Sequence, residues 1–143
     1  MLLVDANVLL YAVNSDAVHH AESRAWLDRS LGAGEPVGFA WTVLLAFLRV
    51  STNRAALSDP LTIGEATGQL AKWIAAPAAV VVEPTVRHAD ILAGLLESTG
   101  SAGNLVSDAH LAALATEHAA TIITYDGDFT RFPGVRSRRP VAA

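Results

Sequence analysis

Short continuous apolar runs, most of them halted by an acid, constrain this chain more than any other feature. Leu2–Val4 runs into Asp5, Ala79–Val82 into Glu83-Pro84, and residues 121–124 into Tyr125-Asp126. Val37–Ala40 is a fourth run, weakened by Gly38. Runs this short that do not alternate polar with apolar predict strands covered on both faces, as in a parallel sheet. Helical patterns separate them. After Pro60, the residues Ile63, Ala66, Leu70, Trp73 and Ile74 share one face, and Thr62 stands three before Glu65 in capping-box spacing. Val86, Ala89, Leu92, Ala93 and Leu96 form another face, closed by Gly100. Helices are also predicted over 16–31 (ended by Gly32), over 42–50 and over 105–119; the 42–50 segment is apolar nearly all round, which predicts deep burial.

Strands alternating with helices imply βαβ units with right-handed crossovers in an α/β fold. The 143 residues suit one domain, with neither an internal repeat nor a linker. A last short strand around Val135 has little room between Pro133 and Pro140. The chain is 52% hydrophobic and only 17% charged, which excludes a disordered tail protein. It has no cysteine, which excludes disulfide scaffolds and Cys-rich zinc sites. No apolar stretch approaches the roughly 20 residues that span a bilayer. The apolar N-terminus meets Asp5 at once and lacks a basic lead, so a cytoplasmic protein is expected.

The formal charge of -4 argues against a nucleic-acid partner only as an average. Residues 129–143 hold Arg131, Arg136, Arg138 and Arg139 and no acid, so all 14 acids lie in residues 1–128. Three of those acids are placed to converge. Asp5 and Asp126 follow strands, and Asp108 lies in the first turn of the 105–119 helix. Ligands of open parallel sheets bind beyond the strand carboxyl ends. Singly, each Asp reads as a cap or first-turn residue. Jointly, three carboxylates in one crevice repel unless a cation sits between them. Hard oxygen ligands suit Mg²⁺ or Mn²⁺, which can activate water and hold a phosphate oxygen.

These residues carry a family resemblance. Val4-Asp5-Ala6-Asn7-Val8-Leu9 resembles the D-x-N-x-L opening of PIN-domain nucleases. Asn104 with Ser107-Asp108-Ala109 is similar to their N-x-x-x-D-A block, and Thr124-Tyr125-Asp126-Gly127-Asp128-Phe129 to their T-x-D-x-D-F block. Phe47-Leu48-Arg49-Val50 with Thr52-Asn53 resembles the F-L-R-x-x-T-N segment of VapC toxins, the ribonuclease halves of VapBC toxin–antitoxin pairs. The blocks come in family order and span nearly the whole chain. The resemblance implies a PIN-like three-layer α/β/α fold with a short central parallel sheet. It implies a Mg²⁺- or Mn²⁺-dependent endoribonuclease cutting single-stranded or looped RNA of the tRNA or rRNA class. A cognate VapB-like antitoxin and a homodimer are the implied partners, with the 42–50 and 62–74 helices as candidate dimer faces. Asp5, Asp108 and Asp126 match the metal-binding acids, and Asp128 matches a position that assists a second metal. Asn7, Asn104 and Thr124 match polar positions that orient the acids or contact substrate.

The chain departs from the family pattern at Ala46, where a fourth acid usually precedes F-L-R. That leaves a second reading, a catalytically weakened PIN-fold module that binds RNA or a partner. A phospho-acceptor receiver domain, another doubly wound fold, normally needs a Lys after a late strand; no Lys follows Lys72. Arg131, Arg136, Arg138 and Arg139 read as a solvated basic tail, or alternatively as a grip on RNA backbone, which supplies affinity without sequence information. Arg49 is expected to pair with an acid or cap a boundary, with phosphate contact as the alternative. His19 and His20 are expected to be solvated, and Trp26, Trp41 and Trp73 to be core or dimer contacts. His110, two residues from Asp108, is a minor candidate for substrate contact.

Overall fold

The computed structural model describes residues 1–100 and 103–141, except for the Asn104 side chain. Five strands and six helices occur among the described residues: β1 (Leu2–Val4), α1 (Ala6–Val13), α2 (His20–Gly32), β2 (Val37–Ala40), α3 (Trp41–Ser51), α4 (Ile63–Ile74), β3 (Ala79–Val82), α5 (His88–Thr99), α6 (Val106–Glu117), β4 (Thr121–Ile123) and β5 (Ser137–Arg138). The four predicted strands are present, and the fifth fits between the two prolines at two residues. All pairings are parallel, in the order β3-β2-β1-β4-β5.

That order places the site. The chain steps outward from β1 to β2 to β3, then returns across β1 to lay down β4. With right-handed crossovers, connections running in opposite directions cover opposite faces. The packing agrees: α1 packs on α2 and α3, α3 on α4, and α5 on α6. The result is the three-layer α/β/α architecture expected. The reversal falls between β1 and β4, so the crevice opens where Asp5 and Asp126 leave the sheet.

The core is built on the strands. Leu3, Val4, Phe39, Ile122 and Ile123 are fully buried, joined by Leu9, Leu44, Phe47 and Leu114 from the helices. Gly38 weakens β2 on paper but is needed there. A Cβ would stand 2.6 Å from the Val82 side chain and 3.2 Å from the Leu2 carbonyl. α6 buries Ala109, Leu111, Ala112, Ala113, Leu114 and Ala115, because small side chains let the helix lie close to the sheet. At α4 the Thr62–Glu65 capping box forms in full. Gly100 ends α5 in the left-handed conformation at φ 65°.

Four expectations need correction. No helix was predicted between Asp5 and Asp16, yet α1 occupies it; an eight-residue, nearly all-apolar segment shows too little period to reveal a helix. The α3 segment is half-open: Val43, Leu44 and Phe47 face the core, but Trp41 is 44% and Leu45 54% exposed. Apolarity all round removes the information about which face points inward. β3 is not covered throughout: it is an edge strand, and the consecutive residues Val80 and Val81, which point to opposite faces, are both partly exposed, while Val82 is buried. Val86 lies outside α5 and is fully exposed; the inward side of that helix is Ile91, Leu92, Leu95 and Leu96.

Candidate active site

Asp5 leaves β1 and caps α1. Its Oδ1 accepts from the Ala6 amide at 2.7 Å, and its Oδ2 accepts from the Thr124 hydroxyl at 2.8 Å. Asp5 is partly buried, and burial is the main force raising its pKa; hydrogen bonds from Thr124 and Ala6 oppose this, while Asp126 adds to it. Thr124, 3% exposed at the end of β4, is the hub of the site. Besides donating to Asp5, its Oγ1 accepts from the Asn7 side-chain amide at 3.0 Å and from the Asp126 backbone N–H at 3.0 Å. One donated and two accepted bonds exhaust what a hydroxyl offers. Asn7 is also fully committed: Nδ2 serves Thr124, with a longer 3.4 Å approach to Asp5, and Oδ1 accepts from the Tyr125 amide at 3.2 Å. Asn7 is thus bonded into the network around Asp5, Thr124 and Tyr125.

Asp126 begins a 3-10 turn over Gly127–Arg131, its Oδ1 accepting from the Asp128 amide at 2.8 Å. Phe129, fully buried, pins this turn to the core. Asp108 comes from the first turn of α6. One carboxylate oxygen from each of Asp108, Asp126 and Asp128 lies within 4.8 Å of the others, the one such cluster of acids and histidines among the described residues. Asp5 is not in this trio but stands beside it. Burial first, then the charges of Asp126, Asp5 and Asp128, push the Asp108 pKa up to about 6. Arg131 stands 3.9 Å from Asp128, and both side chains are half-exposed, so it neutralises little. The donor set is hard oxygen, crowded and under-compensated, which fits a small divalent cation such as Mg²⁺ or Mn²⁺. Asp108, Asp126 and Asp128 would hold it, with Asp5 adjacent.

A cavity of about 350 Å³ opens beside these acids, lined by Asp5 and Ala6, by Thr42, Ala46 and Arg49 of α3, and by Ser107, Asp108 and Leu111. Ala46 therefore faces the site, and the acid it replaces is missing from the site itself. Arg49 does not pair with an acid as expected; no described residue bonds to its guanidinium.

The C-terminal arginines do not form one patch. Arg131 stands at the rim, Arg138 lies on β5, and Arg136 reaches the Ala119 carbonyl, just before β4 begins and away from the crevice. Arg139 lies 4.9 Å over the Tyr125 ring and contacts His19. His19 is not solvated: it stacks on Tyr125 at 4.3 Å, and the Tyr125 hydroxyl bonds Glu22 and Ser23. His20 likewise bonds the Tyr11 carbonyl. His110 is turned to His88 rather than left free beside Asp108. Trp26 and Trp73 are core, whereas Trp41 is exposed. The Asn104 side chain lies outside the described residues. These aromatic and histidine contacts join segments far apart in sequence, and no local pattern announces them.

Comparison with known proteins gives this arrangement its class. The PIN domain family model matches residues 2–135. The chain is 56% identical over 142 residues to "Ribonuclease VapC37" of Mycobacterium tuberculosis, covering 99% of each chain. Two solved structures share the fold. One is M. tuberculosis VapC20, described as a Sarcin-Ricin loop cleaving toxin (TM-score 0.68, 18% identity, 95% of this chain and 99% of that one). The other is a toxin-antitoxin complex from Klebsiella pneumoniae (TM-score 0.64, 16% identity, all of both chains). The chain belongs to the PIN-domain family and, within it, to the VapC ribonucleases. It is accordingly a nuclease, a hydrolase of phosphodiester bonds.

Proposed function

We propose that this protein is a Mg²⁺- or Mn²⁺-dependent endoribonuclease toxin that cuts single-stranded or looped RNA. The observation that carries the metal requirement is the trio Asp108, Asp126 and Asp128, its ligand oxygens within 4.8 Å and its charge largely uncompensated. A bound divalent ion supplies Lewis acidity toward a water and a phosphate oxygen. The chain's own part is positioning. Asn7 and Thr124 hold the Asp5 carboxylate, and Thr124 ties the Asp126 backbone to the same frame. Asp5, held by these bonds at the edge of the cavity, would accept a hydrogen bond from a water bound there. Family likeness adds the expectation of 3′-hydroxyl and 5′-phosphate ends. A structured tRNA or rRNA target is supported only by the description of the VapC20 neighbour.

The test is end mapping on total RNA with Mn²⁺, with chelator, and with Asp126→Asn, alongside calorimetric Mn²⁺ titration. Cuts should appear only with wild type and metal, and Asp126→Asn should lose both cleavage and Mn²⁺ binding. Equal cleavage by wild type and variant would sink the reading. Ala46 favours a second reading, a weakened module that keeps the fold and binds RNA without cutting; Mn²⁺ binding without cleavage by wild type would select it.

The proposed partners are a VapB-like antitoxin, whose cationic tail would seat in the acidic crevice, and a second copy of the chain. The antitoxin reading draws on neighbours solved as toxin–antitoxin complexes. The homodimer reading draws on Trp41 and Leu45, exposed one turn apart on α3. Leu45→Glu should shift the mass in light scattering from dimer to monomer; an unchanged mass would count against this face. The proposed place of action is the cytoplasm, where an RNA target and a cognate antitoxin are made; no helix among the described residues is long and apolar enough to cross a membrane.

A further inference from the structure

We infer that Arg49 grips a phosphate of the RNA in this site, and that Ala46 is what leaves it free to do so. This rests on the ribonuclease reading and deepens it. Arg49 and Ala46 lie three apart on α3, on the side of the helix that lines the cavity shared with Asp5 and Asp108. Arg49 is the only cation among the described residues that line it.

An opposite-charge pair within 4 Å would normally form an ion pair, yet none of the described acids reaches Arg49. Arg49, Asp5 and Asp108 therefore line one cavity of about 350 Å³ without pairing across it. A phosphodiester fits that polarity. One of its oxygens would face the cation-holding acids, and another would meet the guanidinium, whose planar fork suits phosphate. Several other arginines are occupied: Arg29 and Arg136 by backbone carbonyls, Arg131 by Asp128, and Arg139 by Tyr125 and His19. Arg54, Arg87 and Arg138 have no side-chain partner among the described residues, but none of them lines this cavity.

Ala46 completes the argument. Residues three apart on a helix are neighbours, and an acid there would pair with an Arg at 49. The missing carboxylate thus has two effects. It removes a negative charge from the site, and it keeps the guanidinium uncommitted.

The experiment measures a fluorescein-labelled single-stranded RNA by anisotropy and by initial-rate KM, across a salt series, with Mn²⁺ titration of each variant. Arg49→Gln should weaken RNA binding roughly tenfold at low salt. It should raise KM more than it lowers kcat, and reduce the slope of log affinity against log salt by about 0.7, one contact's worth. Arg49→Lys should recover part of the affinity, and both should bind Mn²⁺ as wild type does, which also certifies the fold. Ala46→Glu should weaken RNA binding in the same direction by engaging Arg49. Arg54→Gln, an exposed cation outside the cavity, should match wild type. If Arg49→Gln keeps the wild-type affinity and slope while wild type cuts RNA, this inference fails and the ribonuclease reading stands. If wild type binds neither Mn²⁺ nor RNA, both fail.

Discussion

Thr124 shows how much of a site can depend on one hydroxyl. A single Oγ1 donates to Asp5 and accepts from Asn7 and from the Asp126 backbone. Valine has the same shape but neither donor nor acceptor, so Thr124→Val would leave one acceptor and two donors short in a buried place. A cost of about 2 kcal/mol follows from such orphaned groups. The melting temperature should fall by roughly 4–8 °C, and cleavage should fall further than stability because Asp5 and Asp126 lose their shared anchor. Thr124→Ser, which keeps the hydroxyl, should recover most of the activity. Equal loss in both variants would mean that the methyl group, rather than the hydroxyl, holds the site. Ser51 is the counterexample at this scale: its hydroxyl is buried without a partner, and nothing in the site uses it.

Between elements, the most specific link is the one that ties α5 to α6. The Glu117 carboxylate accepts from His88 Nδ1 and from the Thr85 backbone and hydroxyl. A carboxylate can only accept, so the His88 proton sits on Nδ1, and Nε2 faces His110 Nδ1 at 2.9 Å. Burial, then His88, lowers the His110 pKa, with Glu117 opposing. Burial works to raise the Glu117 pKa, but the hydrogen bonds from Thr85 and His88 outweigh it and leave a net lowering. Both signs run the same way. Below the unfolded His value of about 6.5, the unfolded chain takes up the proton that folded His110 resists, so stability drops as pH falls. Glu117 adds a second loss below about 4.5, as pH falls toward its lowered folded value. In thermal melts, His110→Gln should be less stable than wild type at pH 7.5, and the gap should narrow by pH 5.5. A gap independent of pH would remove the titration argument. None of this was legible in the sequence, because the partners lie 22 and 29 residues apart and belong to no motif. β1, β3 and β4 were the most legible strands, because an apolar run stopped by an acid is a local signal. The inward face of α3 was not, because an all-apolar helix carries no contrast to orient it.

For the molecule as a whole, the acidic site is a load on the fold. Four carboxylates gather at one end of the sheet, and no described cation pairs with them beyond the exposed Arg131. The position of the acids was legible, since the strand ends and the first turn of α6 predict a common crevice. Their inner grouping was not: the tight trio takes in Asp128 and leaves Asp5 beside it, a distinction set by the turn that buried Phe129 pins down. The Asp108 pKa is raised from 3.8 to about 6. A carboxyl raised in the fold binds its proton more tightly there than when unfolded, so it destabilises above pH 6 and is relieved as pH falls toward 3.8. Asp108→Asn should therefore raise the melting temperature of the metal-free protein at pH 8, by roughly 2–4 °C after allowing for its partial exposure. The gain should shrink below pH 6, and the variant should lose Mn²⁺ binding. A melting temperature at or below wild type at pH 8 would show that the acids are not in conflict.

Among the described residues, the frame that carries these acids contains only threonine and asparagine side chains and backbone amides, together with the acids themselves. Threonine, asparagine and peptide groups keep one protonation state across the working range of a protein. A bell or step in the pH–rate profile therefore reports the acids, the attacking water or the substrate, and not a change in the scaffold that holds them.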